Sequence, residues 1–173
     1  MAKTITSSPV RKKRITPPAA PKFTVGWREW AVLPGLRLPA VKIKIDTGAQ
    51  TSSLHAFDIV PFTRKGKPWV RFKVNPLQGD KIVRICTAEL VDKRMVKSSN
   101  GQKEMRHVVR SAIKIGPMTW DIDITLADRA IMSHRMLLGR SAMKLLAVEP
   151  ARSFCQGKMR NSDARALYAE EER

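Results

Sequence analysis

Asp46, Thr47, Gly48 and Ala49 directly follow the alternating run Val41-Lys42-Ile43-Lys44-Ile45. A strand that ends in an acid, a hydroxyl and a glycine can hold a carboxylate at the mouth of a cleft, with Gly48 letting a facing backbone come close. Such a carboxylate does acid–base chemistry when a second one shares its proton: one partner activates water while the other, protonated, polarises a carbonyl. The 173 residues contain one Asp-Thr-Gly element. The second carboxylate would therefore come from another copy of the chain. A plain turn is the competing reading, since Asp and Gly are ordinary turn residues.

A downstream element weakens that alternative. In Met136-Leu137-Leu138-Gly139-Arg140-Ser141-Ala142-Met143 an apolar pair runs into Gly-Arg and then into a short helix expected from Arg140 to Leu146. The two elements, in this order, resemble the retropepsin fold, in which the acid loop packs against an apolar-apolar-Gly-Arg turn. The longer run from Lys44 to Ala56, with Trp120-Asp121-Ile122 and Leu126-Ala127-Asp128-Arg129, is similar to one bacterial family of retropepsin-like proteins labelled ATP-dependent zinc proteases. The resemblance covers about Val25 to Val148. It implies that Asp46 is the catalytic acid of a dyad formed by a homodimer, and that Thr47, Gly48 and Ala49 complete the active-site loop. Thr47 would tie the two loops together, and Leu138, Gly139 and Arg140 would support the loop from behind. Gln50, Thr51 and Ser53 are within local reach of a substrate. The resemblance also implies an association with ATP-grasp ligases that attach amino acids or peptides to their targets.

The metal in that label finds little in the residues. The three histidines, His55, His107 and His134, are scattered, and neither His-Glu-x-x-His nor Cys-x-x-Cys is present. His55, Cys86 and His107 are the weak zinc candidates, brought together only by folding. Cys86 sits in an apolar strand pattern and reads as a small buried hydrophobe. No Gly-x-x-x-x-Gly-Lys-[Ser/Thr] loop occurs, so an ATP requirement would have to come from a partner. No cofactor is expected, zinc following from the family label alone.

Period-two patterns supply the elements that must position Asp46. Val41, Ile43 and Ile45 alternate with lysines, Val70, Phe72 and Val74 with Arg71 and Lys73, and Trp120, Ile122, Ile124 and Leu126 with polar residues. Turn signals separate the strands at Pro34-Gly35, Lys65-Gly66, Gln78-Gly79-Asp80, Asn100-Gly101 and Gly116-Pro117. Together they predict an all-β, retropepsin-like closed β-barrel with one short helix. Asn100-Gly101 is a strong hairpin signal between polar flanks. In a retropepsin-like order, Lys93 to Arg106 is the flap over the substrate, with Ser98, Ser99, Asn100 and Gly101 at its tip.

Length predicts one domain with a real core, spanning residues 23–150. Residues 1–22 read as a disordered, basic, Pro-rich tail and 151–173 as a polar C-terminal tail, with a frayed helix after Gln156. Neither a membrane-spanning run nor a secretory segment is visible, and the expected location is cytoplasmic. The net charge of +18 predicts attraction to polyanions or acidic substrates. Glutamate-extended peptides are one candidate substrate. Two other functions fit the charge: a non-catalytic basic β-barrel binding nucleic acid, partly through the basic tail, or acidic peptides; and a regulatory partner of an ATP-grasp ligase.

Overall fold

The computed structural model describes residues 23–97, 101–128 and 133–171. The expected basic tail, 1–22, lies outside them, as do Ser98, Ser99 and Asn100 at the expected flap tip.

Eleven strands and one α-helix make up the described fold: β1 Phe23–Gly26, β2 Arg28–Leu33, β3 Leu38–Ile45, β4 Ser52–His55, β5 Phe57–Arg64, β6 Lys67–Val74, β7 Arg84–Lys97, β8 Lys103–Ile115, β9 Met118–Ala127, β10 Met136–Leu138, β11 Leu146–Glu149 and α1 Asn161–Glu170. Nine strands pair in the order β2-β3-β10-β4-β9-β8-β7-β6-β5. Val32 of β2 also bridges Lys114 of β8, which closes β2, β3, β10, β4, β9 and β8 into a ring of strands. The chain is thus mostly β, and its ring is closed by that one bridge pair. β7, β6 and β5 extend beyond the ring as an antiparallel wing.

The period-two patterns turn into strands because one face of each meets the core. Val41, Ile43 and Ile45 are buried while Lys42 and Lys44 are half-exposed, and Val70, Phe72 and Val74 are buried against Cys86 and Ala88 of β7. Fully burying a side chain such as Ile43 or Leu54 stabilises by about 1.5–3 kcal/mol. Lys65 and Gly66, both at positive φ (51° and 74°), make the two-residue turn that joins β5 to β6. Positive φ at both central residues is what a type I′ hairpin requires.

One expectation about helices is corrected and a second is refined. Arg140–Leu146 is not a helix: only Arg140–Ala142 forms a 3₁₀ turn, after which the chain straightens into β11, paired in parallel with β1. The cause is burial, because Ala142 and Met143 enter the core and the Trp120 indole N–H donates to the Ala142 carbonyl at 3.0 Å. The α-helix lies at Asn161–Glu170, in the stretch after Gln156 expected to hold a frayed helix, and it is packed rather than frayed. It packs on β3 through Ala164 and Tyr168, both fully buried, and the Tyr168 hydroxyl donates to the Ala40 carbonyl at 2.6 Å.

Glu29 ties this C-terminal segment to the body. Its carboxylate is fully buried and accepts backbone N–H bonds from Gly26 (2.7 Å), Cys155 (2.8 Å) and Gln156 (3.2 Å). A buried carboxylate needs such donors, and losing one leaves a desolvated group without a partner. Glu29→Gln puts an amide NH₂ where an acceptor is required. The expected result is a loss of about 1–3 kcal/mol in urea unfolding of the full chain; an unchanged midpoint would contradict the clasp.

Candidate active site

Strand order places the acid loop. β10 lies between β3, which it parallels (Leu138 beside Ile45), and β4, which it opposes (Leu137 beside Ser53). Residues 46–51 must therefore arch over the end of β10, where the chain leaves through Gly139 and Arg140.

The arch is held from below. The Asp46 N–H donates to the Leu138 carbonyl at 2.9 Å, and the N–H groups of Arg140 and Ser141 donate to the carbonyls of Ala49 (2.9 Å) and Gln50 (3.1 Å). The Arg140 guanidinium reaches up to the Thr47 carbonyl at 2.8 Å and to Gln50 Oε1 at 3.1 Å. Gly139 donates its N–H to Ser52 Oγ at 3.2 Å. It touches the loop so closely that a Cβ there would stand 2.4 Å from the Thr51 carbonyl carbon and 2.9 Å from the Ser52 nitrogen. Glycine is required at this point for space.

Asp46 emerges at the rim with its carboxylate one quarter exposed. Its Oδ1 accepts the Gly48 N–H at 3.1 Å and its Oδ2 lies 3.9 Å from Lys44 Nζ. Thr47 and Gly48 are exposed, so the tip of the loop faces solvent.

An open cleft of about 810 Å³ lies over the loop. The loop and Lys44 line one side, Arg94, Met95, Val96, Lys97 and Arg106 from the β7–β8 hairpin another, and Ser133, His134 and Leu137 a third. The arms expected as the flap thus reach the acid loop, and their register pairs Arg94 directly with Arg106. Arg94 bonds Asp92 (2.6 Å) and Asp123 (3.1 Å), while Arg106, whose side chain is 4% exposed, bonds Glu104 at 2.9 Å. Ser53 Oγ, also on the cleft, is buried with no hydrogen-bond partner among the described residues. Asp46 is the one acid among the described residues that line the cleft, against the cations Lys44, Arg94, Lys97 and Arg106. Gly101 is at φ 84° just past the hairpin tip.

The zinc candidates do not converge. His55 is buried on β4, stacked on Phe57 and 4.0 Å from Asp128; Cys86 is on β7; His107 is half-buried on β8. Cys86 Sγ donates to the Leu36 carbonyl, and burial pushes its thiol up to about 12, the opposite of what a thiolate ligand needs. Among the described residues no group of three or more His, Cys, Asp or Glu side chains could hold a metal ion. The donor set therefore does not fit the family label's zinc.

His134 and Lys44 are cleft residues that motif spacing did not reveal. Contact across the fold brings His134 there: its ring meets Trp27 edge-on at 5.8 Å and its Nδ1 lies 3.1 Å from Ser133 Oγ. Lys44 is the last outward residue of β3 and could have been read from the strand's alternation.

A sequence profile of the RimB-like family, described as retropepsin-like aspartic endopeptidase RimB, matches residues 24–159. The chain belongs to this family. A protein named probable alpha-L-glutamate ligase from Shewanella pealeana is 45% identical over 149 residues, covering 85% of this chain and 32% of the relative. A protein of the same name from Parasynechococcus marenigrum is 45% identical over 150 residues, covering 86% of this chain and 32% of its own. The chain spans about a third of the length of these curated relatives. A crystal structure of a Legionella pneumophila protein of unknown function is also similar, at 32% identity and a TM-score of 0.65, over 77% of this chain and 97% of that one. Among the described residues, no helix is long and apolar enough to cross a membrane.

Two outcomes follow from this geometry. Gly139→Ala drives a Cβ into the loop backbone and should cost about 1–3 kcal/mol or more in urea unfolding; no loss would mean that the loop is not tied there. All three histidines sit below the usual value: His55 through burial and then Arg135, His107 through burial and then Lys93, His134 through burial and then Arg28, Lys42 and Lys44. The native chain then refuses protons that the unfolded chain accepts, so stability is full above about pH 6.5 and falls as the pH drops below it. The urea midpoint should be lower at pH 5.5 than at pH 7.5; an equal or higher value would contradict the burial.

Proposed function

We propose that the protein is one subunit of an aspartic endopeptidase whose dyad is Asp46 from each of two copies. The observation that carries this is the Asp46 carboxylate, one quarter exposed on a braced loop and the one acid among the described residues of its cleft. Membership of an aspartic endopeptidase family supports the same reading. Two such carboxylates close together cannot both ionise cheaply, so they share a proton and titrate as a pair. One then takes a proton from water while the other donates to the scissile carbonyl. An isologous two-fold contact brings Thr47 and Gly48 of both loops together, where exposed, small residues permit a close approach. The β7–β8 hairpin covers the bound peptide from above.

The substrate we propose is an acidic peptide, such as a glutamate-extended one. Lys44, Arg94, Lys97 and Arg106 on the cleft supply the positive field, and guanidinium groups suit carboxylates. The relatives named as glutamate ligases agree with this chemistry. They also favour a second reading, in which the chain regulates such a ligase and cuts nothing.

Asp46→Asn separates the two. Hydrolysis of a glutamate-rich peptide by the full chain should fall on the order of 10²–10⁴-fold, the usual worth of general acid–base catalysis. The advantage of that peptide over a neutral one of equal length should shrink with added salt, and Arg106→Gln should shrink it too. Hydrolysis that survives Asp46→Asn would refute the dyad; equal rates for both peptides at low salt would refute the acidic substrate.

A further inference from the structure

The outer face of the β5–β6–β7 wing is unlike the solvated side of an ordinary sheet. Its inner face is core, with Val70, Phe72, Cys86 and Ala88 buried. The outer face carries Phe62 (37% exposed) paired across the strands with Trp69, their rings 6.4 Å apart and tilted by 41°. The Arg64 guanidinium lies over the Trp69 ring, 5.0 Å from its centroid. Val60 pairs with Arg71 in the next row, and Ile85, 67% exposed, follows beside Lys73.

The charges on this face do not cancel. Lys67 and Lys73 are matched by Glu89 (3.4 Å) and Asp58 (2.8 Å). Arg64 and Arg71 have no acidic partner among the described residues.

We propose that this face binds single-stranded nucleic acid, bases stacking on Phe62 and Trp69 while Arg64 and Arg71 follow the phosphates. An exposed Phe62 ring and a half-buried Trp69 ring beside guanidinium groups on the open face of a sheet supply what unstacked bases and their backbone require together. The net charge of +18 adds long-range attraction. An acidic peptide would use the cations and leave the rings without a role. A partner strand added to the edge of β5 fits poorly, because Pro61 and the register shift around Asp58, at φ 50°, break that edge. This face is separate from the Asp46 cleft, so the proposal stands whether or not the protein is a peptidase.

The test is fluorescence anisotropy of the full chain with labelled oligo-uridine and oligo-thymidine, together with tryptophan emission. At about 50 mM salt one or both strands bind, quench emission, and weaken steeply as salt rises. Phe62→Ala weakens binding about 5- to 100-fold. Arg71→Gln lowers the slope of log affinity against log salt by about 0.7. Trp69→Phe keeps binding and removes most of the quench, which a merely structural role would not do. The proposal fails if neither strand binds. It also fails if Phe62→Ala binds as the parent does, which would move the contact to another basic region such as Arg11–Arg14. Binding of a poly-glutamate peptide that Phe62→Ala weakens equally would assign the face to acidic proteins, and self-association abolished by Phe62→Ala would assign it to a second copy; either result overturns the proposal.

Discussion

The site depends on one backbone-to-backbone contact, that of Gly139 with Thr51 and Ser52. Because β10 is inserted between β3 and β4, the loop joining those strands has to cross the end of β10 at a distance that leaves no room for a Cβ. With that contact made, the amides of Arg140 and Ser141 and the Arg140 guanidinium find the loop's carbonyls, and the loop is fixed without being buried. Asp46 stays at the rim as a consequence. In the proposed dyad, a carboxylate presented in this way meets its matching half on a second copy of the chain.

Charge organises the rest of the cleft. Arg94 and Arg106 face each other across the hairpin, an arrangement that costs stability between like charges. Asp92, Asp123 and Glu104 offset it from the sides, which leaves both guanidinium groups in place beside the loop. The C-terminal segment steadies the same strands at two points, at Glu29, which pairs with Ile43 near the cleft, and at Ala40, further from it. Glu29 gathers three N–H groups and Tyr168 bonds Ala40, so β2 and β3 are held from outside while β3 delivers Asp46.

Local signals told most where local chemistry decides the structure. Strand alternation, the Lys65-Gly66 turn and the acid loop were legible because each needs only neighbouring residues. The pairing of Arg94 with Arg106 was not legible, because a two-residue Asn100-Gly101 turn would set Arg94 opposite His107, one place away from the observed register. The expected helix at Arg140 failed because a short apolar run does not distinguish a helix from a turn leading into a strand. The helix after Gln156 was legible, but polar neighbours masked the face formed by Ala164, Leu167 and Tyr168 at i, i+3, i+4 spacing, so its packing was not. Glu29 and His134 had no local sign at all. Glu29 finds two of its three donors 126 and 127 residues away, and His134 owes its place in the cleft to strand order rather than to motif spacing.

In the proposed dyad each chain supplies half of the chemistry. Peptide hydrolysis per subunit, followed across protein concentrations alongside sedimentation of the same samples, tests it most directly. The rate per subunit should fall toward zero on dilution, in step with the fraction of dimer. A constant rate per subunit where only monomers sediment would contradict it.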